Sequence, residues 1–131
     1  MKEENTITNI LIQSAFISTG QRCTCTRRLI VNKGKTACEG DRVIRNLVDA
    51  ADKLVIGEYT DTPEPFMGPM ITTKAVKELI DAQKNLISLG GVVLKEFKRI
   101  GGATSKLVEP GIIDVTDIKN LPDEEYFGPL L

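Results

Sequence analysis

Three prolines and two glycines fall within residues 57–70, and this stretch limits the possible folds more than any other part of the chain. Proline has no N–H to give to a helix interior or a central strand, so Pro63, Pro65 and Pro69 force an extended surface connection. Helical periodicity stands on either side of it. Before it, Ile7, Ile10, Leu11, Ala15 and Ile17 recur at helical spacing, with Asn5 or Thr6 as a cap and Gly20 as the stop. Val43, Ile44, Leu47, Val48, Ala51 and Val55 predict a second helix over about 41–54, with Asp41 as its N-cap. After it, Val76, Leu79, Ile80, Gln83, Leu86 and Ile87 predict a third helix, opening at Thr72 or Thr73 and stopping at Gly90 and Gly91. The apolar run Leu29, Ile30 and Val31 predicts a short buried strand over 28–32, and further strands are expected at 92–94, 106–108, 112–115 and 126–131. Helices alternating with short strands imply one α/β domain with a largely parallel sheet.

Composition narrows the function. The chain has 131 residues, with 17 basic and 18 acidic side chains and a net charge of −1. That balance offers no footprint for nucleic acid or an anionic membrane. The longest apolar run is three residues, far short of a membrane span, and the opening Met-Lys-Glu-Glu is not followed by the apolar core of a signal peptide. There is no histidine, which excludes His-based acid–base catalysis within the chain and the commonest zinc sites. Three cysteines, Cys23, Cys25 and Cys38, are an odd number for a disulfide scaffold and lack a fourth ligand for zinc. Reduced thiols in a cytoplasm are expected.

Cys23 lies between the first helix and the expected strand, in Phe16-Ile-Ser-Thr-Gly-Gln-Arg-Cys-Thr-Cys-Thr-Arg27. This segment resembles the cysteine active-site signature of the aldehyde dehydrogenase superfamily. Three other segments carry the same resemblance in the right order: Pro65-Phe-Met-Gly-Pro-Met-Ile71, Pro110-Gly-Ile112 and Glu124-Glu-Tyr-Phe-Gly-Pro129. Gly20-Gln-Arg-Cys-Thr-Cys with Arg27, Arg28 and Leu29 is most similar to the succinylglutamate semialdehyde branch of that family.

The resemblance implies a three-layer α/β fold with a mostly parallel sheet, of which residues 1–131 are a partial catalytic domain. The activity implied is NAD(P)-dependent oxidation of an aldehyde, N-succinylglutamate semialdehyde, to the acid. Cys23 would be the nucleophile, attacking the aldehyde carbon to give a thiohemiacetal and then a thioester. A thiolate is the attacking species and neighbouring cations favour it; Arg22, Arg27 and Arg28 lie within five residues. The competing reading of Cys23 is a buried structural thiol. Glu125 would accept hydrogen bonds from the nicotinamide ribose and Phe127 would pack at the nicotinamide end, with Glu124 a solvated neighbour and Gly128 and Pro129 shaping the backbone.

Arg22 suits a substrate carboxylate, with a surface arginine paired to its neighbours as the plain alternative. Cys25 reads as a small buried thiol or as a resolving partner for Cys23, and Cys38 as structural. The family's hydrolytic glutamate, oxyanion-hole asparagine and G-x-G-x-x-G turn have no counterpart in the sequence, so a dinucleotide-binding domain is not expected within it. Partners would be the aldehyde, further copies of the chain or a complementary upstream fragment, and the chain alone is expected to be inactive. The alternatives are a non-catalytic remnant and a small thiol protein using Cys23 and Cys25.

Overall fold

A computed structural model of the chain describes residues 2–32, 34 and 38–131. Its elements are helices α1 (Lys2–Phe16), α2 (Cys38–Ala51) and α3 (Thr73–Ser88), then strands β1 (Val92–Lys95), β2 (Lys98–Arg99), β3 (Val108–Glu109) and β4 (Ile112–Asp114). The expectation that Cys38 is structural concerns a side chain outside those described.

The helices form where the periodicity places them, but α1 turns only part of its expected stripe inward, Ala15 fully and Leu11 in part. Thr8, Ile12, Ala15 and Phe16 are buried, whereas Ile7, Ile10 and Ile17 are exposed. The segment carries two apolar stripes, and the one with the aromatic side chain packs against the core. Neither Asn5 nor Thr6 caps α1, which starts earlier. In α2, Leu47 and Ala51 face the core, and the helix stops at Ala51, short of the expected 54. Asp41 lies inside its first turn and not at the cap, where an acidic side chain still suits the helix dipole. For α3, the Thr72 side chain accepts a hydrogen bond from Ala75 N at 3.0 Å. The helix gives way to Leu89 and to Gly90 at φ 106°, a start and a stop as the sequence predicts.

The α/β class stands, with a correction to strand direction. β1 pairs antiparallel with β4, and β2 antiparallel with β3. Together they make one interrupted hairpin closed by residues 100–107, a link too short for the crossover that parallel strands need. The interruption has a side-chain cause. Gln83, buried on α3, accepts from Phe97 N at 2.7 Å and donates to Phe97 O at 3.0 Å, taking the place of a strand partner. Parallel pairing does occur at the C-terminal end. There Gly111 N donates to Pro129 O, Leu131 N to Gly111 O and Ile113 N to Leu131 O. The expected strand at 126–131 is thus reduced to a bridge at Leu130.

No strand forms over 28–32. Ile30 is 95% exposed, because no described backbone lies alongside to pair with it. The proline-rich connection is extended as expected, and it is tethered. Met67 and Met70 are buried, and Gly57 N donates to Met67 O at 3.1 Å. The core gathers Phe16, Leu47, Met67, Val76, Phe97 and Val108 into one cluster. Lys95, 8% exposed, reaches Asp52 at 2.5 Å and Glu109 at 3.5 Å, joining the end of α2 to the hairpin.

Candidate active site

The loop bearing Cys23 begins with an unusual backbone. Ser18, Thr19 and Gly20 have φ of 53°, 58° and 63°, three successive residues in the left-handed region. Two of them carry a Cβ, and such residues cost on the order of 1–3 kcal/mol each unless their surroundings hold them. The connection at 68–71 supplies that hold. Thr19 Oγ1 donates to Gly68 O at 2.8 Å, and Gln21 Nε2 reaches Ser18 O at 3.3 Å and Pro69 O at 3.4 Å. Ile71 N donates to Gln21 Oε1 at 2.8 Å. Gly20 is required for space as well as for φ, since a Cβ there would lie 2.5 Å from the carbonyl carbon of Gly128.

Beyond this turn, Arg22, Cys23 and Thr24 are exposed and Cys25 is buried, its Sγ 3.6 Å from Ile17 O. Cys23 is therefore not a buried structural thiol, and Cys25 has the burial expected of a small packed one. The main-chain N–H of Cys25 is taken by Arg22 O, while that of Cys23 has no acceptor among the described residues. Arg22 makes no hydrogen bond or ion pair with its side chain among the described residues. It is not the neighbour-paired arginine of the plain alternative.

A second segment lies against this loop. Glu125 and Phe127 are exposed, Phe127 at 48%, and Gly128 and Pro129 are buried. Arg27, marked by the sequence only as a cation near Cys23, holds the two segments together. Its Nε donates to Glu125 Oε1 at 3.0 Å, and its Nη1 to Gly20 O at 2.7 Å and Gly128 O at 3.3 Å. Its Nη2 donates to Arg22 O at 3.0 Å, and the guanidinium carbon sits 4.7 Å from the centre of the Phe127 ring. Arg28 instead pairs outward, with Pro122 O and Asp123. The structure thus places Cys23 and Arg22 on one loop and Glu125 and Phe127 on the adjoining segment. Three arginines within seven residues show only that some cation is near, which is why the sequence does not single out Arg27.

An exposed thiol with a free main-chain N–H, just past a strained turn and on a loop tied through Arg27 to a segment bearing a carboxylate and an aromatic ring, is suited to nucleophilic chemistry on a carbonyl. Among the described residues, no group of three or more cysteine, aspartate or glutamate side chains converges on a possible metal position. No helix there is long and apolar enough to cross a membrane.

The sequence profile of the Aldehyde dehydrogenase family matches residues 4–131, and the chain belongs to that family of oxidoreductases. Among individual proteins, it is 51% identical over 122 residues to an N-succinylglutamate 5-semialdehyde dehydrogenase of Serratia proteamaculans, covering 93% of this chain and 24% of the relative. It is 50% identical over 124 residues to the enzyme of the same name from Acinetobacter baylyi, covering 95% and 24%. The chain therefore spans about a quarter of the length of the curated relatives it matches. A structure from Sinorhizobium meliloti, assigned as a methylmalonate-semialdehyde dehydrogenase and complexed with NAD, superposes with a TM-score of 0.80 at 26% identity. That match covers 98% of this chain and 26% of the other.

Proposed function

We propose that residues 1–131 are the nucleophile-bearing part of an aldehyde dehydrogenase catalytic domain, with the dinucleotide-binding fold supplied by other residues. The reaction is oxidation of N-succinylglutamate semialdehyde to the acid with NAD or NADP. The observation that carries this reading is the exposed Cys23, with its unpartnered N–H, on the loop that Arg27 ties to the segment bearing Glu125 and Phe127. The names of the two relatives at about half identity support the substrate.

The residues fit a nicotinamide nucleotide. Glu125 has one carboxylate oxygen on Arg27 and the other open for a ribose hydroxyl, and the half-exposed Phe127 ring offers an apolar surface to a nicotinamide. When bound, the cofactor accepts the hydride that leaves the aldehyde carbon. The Cys23 thiolate forms the S–C bond to that carbon, and the carbonyl electron pair moves onto oxygen. The Cys23 N–H is positioned as one donor to that oxyanion. After hydride loss the carbon is held as a thioester on Cys23, and water releases the acid and the thiol. Arg22, exposed and unpaired, binds a carboxylate of the substrate bidentately.

The hydrolytic base and a second oxyanion donor come from outside these residues, as does the surface that covers Ile7 and Ile10. The partner is a complementary upstream segment or a further copy of the chain, and the reduced thiols fit a cytoplasmic setting. Cys23→Ser and Cys25→Ser test the reading in the chain assembled with a dinucleotide-binding segment. Formation of reduced cofactor is expected to vanish in the first and persist in the second. Turnover surviving Cys23→Ser would overturn the assignment.

A further inference from the structure

Arg27 makes more contacts across the candidate site than any ion pair requires. Four of the five N–H donors of a guanidinium are placed on acceptors, and its flat face lies on an aromatic ring. The acceptors belong to two segments about a hundred residues apart in sequence. Gly20 and Arg22 flank the approach to Cys23, whereas Glu125 and Gly128 bracket Phe127. The Arg27 side chain is 16% exposed and that of Glu125 57%. An ion pair as open as this is worth little alone, so what Arg27 contributes is geometry.

We propose that Arg27 is a positioning residue, whose guanidinium locks the loop presenting Cys23 to the segment presenting Glu125 and Phe127 so that thiol and cofactor-facing groups are held as one body. The functional meaning rests on the reading given under the proposed function; the mechanical coupling does not. Lysine cannot replace it. An ammonium has three donors on a single nitrogen and no plane to stack, so it can keep Glu125 but cannot also span three carbonyls and a ring.

Amide hydrogen exchange on the full chain tests the coupling, with mass spectrometry or NMR as the readout. The reporters are the Gln21 and Cys25 amides on the thiol loop and the Leu130 amide behind Phe127, all hydrogen-bonded to main-chain carbonyls. Arg27→Met is expected to speed exchange at all three by about tenfold, while Leu86 within α3 stays unchanged. Arg27→Lys is expected to recover part of the protection near Glu125 and little at Gln21. Glu125→Gln, at the far side of the site, is expected to speed exchange at Cys25, and to have no such effect in the Arg27→Met background. A purely local role would leave Leu130 and the Glu125→Gln effect on Cys25 unmoved, and either result would overturn the proposal. Full rescue by lysine would also overturn it, because charge alone would then suffice. None of these readouts depends on turnover, so loss of the Cys23 assignment would leave the result intact.

Discussion

Cys23 and Cys25 are separated by one residue and differ in access to solvent. Cys23 is exposed on the loop, whereas Cys25 is buried with its sulfur turned to Ile17 O. Brief iodoacetamide treatment followed by mass spectrometry is expected to label Cys23 first, since alkylation needs access to the sulfur. Preferential labelling of Cys25 or Cys38 would count against Cys23 as the nucleophile. The same loop depends on a single glycine. Gly20→Ala adds a Cβ 2.5 Å from the carbonyl carbon of Gly128 at a φ of 63°. Neither backbone can move without releasing the turn at 18–20 or the docked end of the chain. A loss of about 2 kcal/mol or more is expected, read from the urea midpoint. An unchanged midpoint would mean that the two segments are not in contact in solution.

The helices are legible in the sequence, and so are the strands expected at 92–94, 106–108 and 112–115, which fall on β1, β3 and β4, whereas those expected at 28–32 and 126–131 are not, for physical reasons that particular elements show. Thr72 and Gly90 mark the ends of α3 because capping is local chemistry, written in the residues that perform it. Of the positions the periodicity marks in the first helix, Ala15 is buried and Leu11 packs on the core, but Ile7, Ile10 and Ile17 are exposed while Thr8, Ile12 and Phe16 turn inward. Periodicity cannot say which stripe finds a neighbour. Leu29, Ile30 and Val31 have strand composition but no partner backbone, and pairing is not a local property. The cysteine loop was legible through its motif, yet the part played by Arg27 was not, since its partners lie about a hundred residues away.

Gln83 was read only as one position of a helical stripe, and its side chain proves to substitute for a strand. Gln83→Leu is nearly the same size but leaves the Phe97 N–H and C=O buried without partners. At about 1–3 kcal/mol for each orphaned group, a cost of about 2 kcal/mol or more is expected in urea unfolding. Thr72→Ala, which removes only the cap of the same helix, is expected to cost about 1 kcal/mol. The reverse order of the two would mean that the hairpin does not lean on α3.

At the scale of the whole molecule the unburied apolar surface is the dominant fact. Ile7, Ile10 and Ile17 line the outer side of α1 and its turn, and Ile30, Ile71 and Val92 are also exposed. Isolated surface leucines and isoleucines are ordinary, but two isoleucines on one helix with a third on the turn that follows it make the kind of apolar surface that recruits a partner. The relatives are about four times as long as this chain, so further polypeptide is available in them to cover such a face. Alone, the 131 residues are expected to self-associate, and analytical ultracentrifugation should show species heavier than the 14.4 kDa monomer. Ile7→Lys with Ile10→Lys places two charges on that face without touching the buried stripe. The double variant is expected to shift the distribution toward monomer with α1 still folded by circular dichroism. A wild-type chain that sediments as a monomer would show that the face tolerates water, and would remove the reason to assign it a covering segment. The catalytic consequence follows from the same incompleteness. With no counterpart of the family's hydrolytic glutamate and no dinucleotide-binding turn in the sequence, the chain by itself is expected to form no reduced cofactor with any aldehyde. Mixing with a segment that carries both should restore turnover only when the α1 face is intact. Restoration by the double lysine variant to the wild-type level would separate the catalytic partner from the apolar face and assign them to different surfaces.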